Sequence, residues 1–423
     1  MPSFRFLHAA DLHLDSPLRG LDADASAPAQ RIRQASRDAL GNLVRLALAE
    51  QVDFLVVAGD LYDGDWQDFR TGQALVAAFA RLTRAGIRIV AIRGNHDADS
   101  VLTRDLRLPE GATLLAHKAP QTLCFEELGV AFHGQSFAQR AVVENIARAY
   151  PRPHPGLFNI GLLHTAAAGH AAHENYAPCS IEQLAGHGYD YWALGHVHER
   201  AVLHREPWIV FPGNLQGRHV NEPGAKGASL VTVRGGRVAD VSHQPLDTVR
   251  WDRLSIDCTG TADMPAVLDR VSAAMQRAMD RAEGRLLALR IQLEGPCPAH
   301  LALVRDAAAT RETIRSAGLE LSEDDLWIED VRIRTRPALE LSALRARTDA
   351  VGRLVGAIED LAASPDEALA APVRDYAARL LDRAGLREAL GEDHPAVLAA
   401  GGTLPLELLE RARALLLARL AED

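Results

Sequence analysis

Cysteine is scarce. Four residues, Cys124, Cys179, Cys258 and Cys297, are spread over 423 positions with no C-x-x-C pair among them. That spacing builds neither a disulfide framework nor a zinc knuckle, and a reducing compartment is expected. Positive charge is also in deficit, with 46 Lys and Arg against 56 Asp and Glu, a net of -10 with His neutral. A non-specific nucleic-acid coat needs the opposite balance, because phosphate neutralisation takes Lys and Arg. Carboxylates that hold divalent cations would invert the local field. No apolar run is long enough to span a bilayer, and Met1-Pro2-Ser3-Phe4-Arg5 lacks the basic-then-apolar pattern of a secretory signal. A soluble, cytoplasmic protein with no membrane association is expected. Histidine, by contrast, is plentiful at 17, and many of these residues sit in short motifs. Apolar residues reach 48%, enough for sizeable cores in a chain too long for one.

Residues 1–250 alternate strand-like and helix-like segments. Strands are predicted at Phe4–His8, Val52–Val57, Ile87–Ile92, Val130–His133, Phe158–His164, Asp190–Leu194, Trp208–Phe211, Leu230–Val233 and Arg237–Val241. Arg31–Glu50 reads as an amphipathic helix with Ile32, Ala35, Ala39, Leu43, Leu46 and Ala47 on one stripe, and Phe69–Ala85 as a second helix closed by Gly86. Mixed strands with intervening helices predict an α/β core with largely covered sheets. Composition shifts after Trp251, and 251–336 reads as a small α+β domain in the order strand, helix, strand, helix, strand. Residues 337–423, rich in Ala, Leu, Arg and Glu, read as helices broken at Pro365, Pro395 and Pro405. Two apolar stripes there, Leu344 to Leu361 and Leu406 to Leu420, have the spacing that a docking helix uses.

Five motifs lie where predicted strands end: Asp11-Leu12-His13, Gly59-Asp60-Leu61-Tyr62-Asp63, Gly94-Asn95-His96-Asp97, His164, and Gly195-His196-Val197-His198. Each alone is compatible with a cap or a surface turn. Loops beyond the carboxyl ends of strands in an open α/β sheet converge on one crevice, so all five together bring imidazoles, carboxylates and an amide to one place. His, Asp and Asn without thiolate favour Mn, Fe or Zn over soft-metal clusters. A carboxylate can bridge two cations, and Asp60 is the choice for that role. Two cations about 3.5–4 Å apart can clamp the attacking and leaving oxygens of a phosphoryl displacement and lower the pKa of a shared water.

The series D-x-H, G-D, G-N-H-D, H and G-H-x-H resembles the calcineurin-like metallophosphoesterase superfamily. That resemblance implies a four-layer α/β metallophosphoesterase sandwich across residues 1–250. It also implies two divalent ions, with Mn2+ expected and Fe, Zn or Mg as alternatives. One ion would take Asp11, His13, Asp60 and His198; the other would take Asp60, Asn95, His164 and His196. His96 would be a catalytic non-ligand, oriented by Asp97. Phe6-Leu7-His8-Ala9-Ala10-Asp11-Leu12-His13-Leu14-Asp15-Ser16-Pro17-Leu18 resembles the opening of the SbcD-type DNA repair exonucleases. Phe211-Pro212-Gly213-Asn214-Leu215-Gln216-Gly217-Arg218-His219 is similar to the bacterial YhaO-like group. This branch implies a metal-activated hydroxide acting on DNA in repair, with Arg218 and His219 toward the substrate. It also implies a capping domain at 251–336 and a C-terminal helical segment that binds an SMC-like coiled-coil ATPase; a homodimer is a further arrangement in view. Two other readings stay open: a phosphomonoesterase or cyclic-nucleotide phosphodiesterase on the same core, and a scaffold subunit of the ATPase. His133, His170, His173 and His187 match no ligand position and read as surface or supporting histidines.

Overall fold

The computed structural model describes residues 2–16, 27–63, 69–99, 107–167 and 176–338, with short stretches at 346, 348, 352–353, 374–379, 381 and 395–401. The chain divides into two compact units. The first comprises residues 1–253, 277–290 and 322–329; the second comprises 254–276, 291–321 and 330–423.

In the first unit, strands are numbered in chain order. One six-stranded sheet contains β1 (Phe4–Ala9), β2 (Phe54–Ala58), β3 (Arg88–Ile92), β4 (Ala112–Leu114), β11 (Gly227–Arg234) and β12 (Arg237–Pro245), in the order β12-β11-β1-β2-β3-β4. The other contains β5 (Gln121–Phe125), β6 (Val130–Gly134), β7 (Phe158–His164), β8 (Tyr191–Gly195), β9 (Ala201–Arg205) and β10 (Trp208–Phe211), in the order β5-β6-β7-β8-β10-β9. Strands β1 to β4 run parallel, as do β6, β7, β8 and β10, so their carboxyl ends share one side.

Side-chain alternation along the strands builds the layers. Phe4, Phe6, Phe54 and Val56 of the first sheet share one core with Phe132, Phe158, Ile160 and Tyr191 of the second. Phe54 stacks on Phe6 at 4.9 Å between ring centroids and receives Phe132 edge-on at 4.9 Å. Truncating this fully buried ring would cost about 3–5 kcal/mol. The alternate residues Leu7, Ala9, Leu55 and Val57 face helices α1 (Ala27–Ala49) and α2 (Phe69–Arg84), through Leu43, Ala47, Leu75 and Phe79. On the far side of the second sheet, Trp192, Leu194 and Phe211 pack with Leu184 of α4 (Ile181–Ala185). Helix, sheet, sheet and helix make the four-layer sandwich that the resemblance implies. Trp251, Leu286, Ala288 and Trp327 pack with Ala29, Ile32 and Ala35 at the start of α1 in a further cluster of the same unit.

The predicted strands are all present. Three more, β4, β5 and β9, have no counterpart in the sequence reading. Nor has α3 (Asn95–Asp99), a short helix where the Gly94-Asn95-His96-Asp97 motif suggests only a turn. A third sheet, β13 (Val249–Asp257), β14 (Leu286–Cys297) and β15 (Leu326–Pro337), carries α5 (Met264–Arg281), α6 (His300–Arg305) and α7 (Ala307–Leu321). The alternation expected over 251–336 is there, except that its second helix is two. They part at Asp306, whose carboxylate accepts the Ala309 N–H at 2.9 Å and caps α7. Among the described residues beyond 338, α8 (Pro395–Ala400) and 374–379 are helical. The residues of the two apolar stripes lie outside the described ones. No helix among the described residues is long and apolar enough to cross a membrane.

Candidate metal centre

The chain beyond β1 runs beside the chain beyond β2. Asp11 N–H donates to Gly59 O at 3.0 Å and His13 N–H to Asp60 O at 3.1 Å. The turns that aim these side chains are strained. Asp11, His13, Asp60 and His196 have φ of +51°, +41°, +51° and +99°, and they are four of the eight non-glycine residues with positive φ among those described. That conformation costs an L-residue roughly 1–3 kcal/mol and persists where the surroundings enforce it. Glycine is required where backbone closes on the cluster. A Cβ on Gly94 would overlap the Asp60 carboxylate, and one on Gly195 the Ala58 carbonyl oxygen.

The seven side chains expected as ligands come together. Donor atoms of Asp11, His13 and His198 lie within 4.8 Å of one another, as do those of Asp60, His164 and His196. Asp60 stands between the groups, with Oδ2 3.7 Å from His13 Nε2 and 3.4 Å from His164 Nε2. Asn95 Oδ1 is 2.9 Å from His164 Nε2. Asp11, His13, Asp60, Asn95, His164 and His196 are all buried. Phe137 and Tyr176 wall the centre, edge-on to His164 at 5.4 Å and tilted against His196 at 5.5 Å.

The donor set suits cations rather than protons alone. His13 Nδ1 donates to Asp63 Oδ1 at 3.0 Å, His198 Nδ1 to Glu222 Oε1 at 2.7 Å, and His164 Nδ1 to Ala58 O at 3.0 Å. Each bond fixes a tautomer whose Nε2 offers a lone pair. The Nε2 atoms of His13 and His198 then face each other at 3.1 Å, and that of His164 faces two oxygens. Lone pair against lone pair is repulsive without positive charge between them. Burial keeps His13 low and holds His198 at about 4, so neutral imidazole is the favoured form of both. Elsewhere the cluster draws protons where cation charge would sit. Burial, reinforced by Asp60, pushes Asp11 up to about 8. Burial opposes protonation of His164, yet Asp60 and Asp11 raise it to about 9. The residues therefore fit two divalent cations sharing Asp60.

His96 sits at the margin, its side chain 29% exposed. Its N–H donates to Asp60 Oδ1 at 3.0 Å, its ring lies edge-on to His13, and its Nδ1 is 2.8 Å from Asp63 Oδ1. Burial works against a charged ring here, but Asp63 and Asp60 outweigh it and raise His96 above the ordinary histidine value. The carboxylate on the His96 ring is thus that of Asp63. Asp97, expected to orient that ring, accepts the N–H groups of Gly94, Leu61 and Tyr62 at 2.9–3.1 Å and ties the second motif to the third. Arg218 reaches the centre, 3.1 Å from Glu222 and 3.5 Å from Asp63. His219 does not join it; the ring is 52% exposed, 3.6 Å from Glu222.

Two residues that hold the site carry no role in the sequence reading. Asp63 stands in the second motif, but only the fold shows it gripping His13, His96 and Ser16. Glu222 anchors His198, the Arg218 N–H and Asn214. His8, buried beneath the centre, joins Tyr191 OH at 3.0 Å and Leu194 O at 3.1 Å just before the last motif.

A family profile for calcineurin-like phosphoesterases matches residues 4–200, and one for the middle domain of metallophosphoesterase YhaO matches 251–336. A Bacillus subtilis protein named "Uncharacterized metallophosphoesterase YhaO" is 34% identical over 299 residues, 69% of this chain and 72% of that one. The chain belongs to the calcineurin-like metallophosphoesterases. Within them it is YhaO-like, a metal-dependent phosphoesterase whose fold implies two divalent ions. A Rhodobacter capsulatus component of nuclease SbcCD is 26% identical over 390 residues, 76% of this chain and 88% of its own. DNA double-strand break repair protein Mre11 of Methanopyrus kandleri is 28% identical over 233 residues, about half of each chain.

Proposed function

We propose that this metallophosphoesterase is a DNA phosphodiesterase, an exo- or endonuclease subunit acting with Mn2+ in DNA repair in the cytoplasm. The observation that carries the phosphodiesterase reading is the pair of donor groups joined at Asp60, with the His96–Asp63 pair at their open margin. The names of the Rhodobacter and Methanopyrus relatives favour DNA over a phosphomonoester or a cyclic nucleotide. Asp11, His13, Asp60 and His198 would hold one ion, and Asp60, Asn95, His164 and His196 the other. When bound, such ions supply positive charge for the attacking and leaving oxygens and lower the pKa of a water.

The chain's own groups do the rest. Asp63 and Glu222 fix the tautomers of His13 and His198, so both present lone pairs inward. Asp63 also favours the imidazolium of His96. With Nδ1–H given to the carboxylate, Nε2–H is left to donate to a phosphate oxygen or to the departing oxygen. Arg218 places a guanidinium beside the centre, its charge matched by Asp63 and Glu222 in the absence of substrate. Residues 337–423 are assigned to docking on an SMC-like ATPase. The purified chain with Mn2+ is expected to degrade end-labelled DNA and to cleave a chromogenic phosphodiester. Turnover of the small diester with DNA left intact would reassign the substrate, and release of phosphate from monoesters alone would overturn the diesterase reading.

A further inference from the structure

We infer that Cys124, Glu126 and His154 form a separate site for a single thiophilic divalent cation such as Zn2+, at the opposite end of the second sheet from the dinuclear centre. One donor atom from each lies within 4.8 Å of the others. Tetrahedral zinc bonds of about 2.0–2.3 Å put donors roughly 3.5 Å apart, so side-chain adjustment alone closes the site. Three protein ligands leave a fourth position for solvent. Thiolate, carboxylate and imidazole together select zinc over the hard cations that all-oxygen sites prefer.

The three donors are held by different means. Cys124 lies on the edge strand β5, paired with Ala131, and is the one cysteine of the four that is not buried. Glu126 follows just past the strand end. His154 lies between Pro153 and Pro155, whose rings fix the flanking backbone. The buried Asn159 side chain clasps it, accepting the His154 N–H at 2.6 Å and donating to the His154 carbonyl at 3.2 Å. The same Asn159 Oδ1 is bound to the buried His133 at 2.9 Å. His154 Nδ1 donates to Pro155 O at 3.2 Å, which leaves Nε2 as the lone-pair nitrogen.

The two centres are far enough apart to be read independently. Phe125 pairs with Val130 and Val130 with Phe158, at the start of β7, whereas His164 ends that seven-residue strand. At about 3.3 Å per residue the strand separates them by roughly 20 Å. A cation here would bind the loop before β7 to the sheet's outermost strand.

The dinuclear centre contains no sulfur, so cobalt distinguishes the two sites whatever substrate is cleaved. The full chain, kept reduced with a phosphine, is titrated with Co2+ and followed in the near ultraviolet. The expected result is a thiolate-to-cobalt charge-transfer band whose limiting intensity corresponds to one thiolate-bound cobalt per chain, beyond the cobalt taken up by the dinuclear centre. It should disappear in Cys124→Ser, need more cobalt in His154→Ala, and persist in Cys179→Ser. Absence of the band in the unaltered chain would overturn the site. So would a band that survives Cys124→Ser, or one indifferent to both His154→Ala and Glu126→Gln, which would mark a lone thiol binding adventitiously.

Discussion

The two ends of the second sheet gather metal donors in opposite ways. At the carboxyl ends of β7 and β8 the donors are nitrogen and oxygen, nearly all buried, and four of the residues supplying them sit in left-handed backbone. At the other end the donors include a thiol, are half-buried or exposed, and rest on ordinary strand and a proline-flanked loop. The first arrangement is expensive in strain and desolvation, and it yields fixed geometry for chemistry. The second is inexpensive and suits a cation that holds a segment in place. Burial and neighbouring charge push Asp11 and His164 above and His198 below their ordinary values, as expected where charged groups are buried together.

Substitutions should separate the two designs, and the largest effect belongs to Asp60. Asp60→Ala is expected to abolish turnover and remove both ions of the dinuclear centre by metal analysis; one tightly held ion surviving there would refute the shared role. Next comes His96→Ala, expected to lower turnover by roughly 10²–10⁴ while metal content stays whole. Asp63→Asn should reproduce much of that loss and also weaken metal binding through His13, and equal metal affinity in both variants would deny Asp63 its part in orienting His13. Glu222→Gln should weaken binding of the His198-side ion by about 10–100-fold, as loss of a ligand's carboxylate partner does elsewhere, with the other ion retained. Calorimetric titration resolves the two. Smallest of all is Cys124→Ser, for which turnover on a phosphodiester should not change; a marked fall would mean that the two ends of the sheet communicate.

Legibility in the sequence followed the same division. Asp11 with His13 and His196 with His198 stand two apart on one turn and leave a motif, while Asp60, Asn95 and His164 were picked out by the strand ends and glycines beside them; the fold brings all seven together. Asp63 stood in a motif without its role showing, and Glu222 outside the five motifs, because a carboxylate that orients a histidine can come from any nearby loop. Cys124, Glu126 and His154 share no spacing pattern, since two come from the end of one strand and the third from a loop before another. The missed strands have a common cause as well. β4, β5 and β9 are outermost in their sheets and none is fully buried, so they lack the continuous apolar run that marks β2, β3 and β8. Asn95–Asp99 is one turn of helix and too short to show a period.

The Asp60 carboxylate has a divided allegiance. Its Oδ2 faces His13 and His164 across the space between the two donor groups, while its Oδ1 accepts the backbone N–H of His96. A carboxylate is rigid and planar, so a pull on one oxygen turns the other. On the role proposed for His96, a shift of the Asp60 carboxylate on loading of the centre would be felt at the backbone that carries that ring. A half-loaded chain would have its acid out of line as well as a charge missing, so activity should rise with the second ion more steeply than occupancy does.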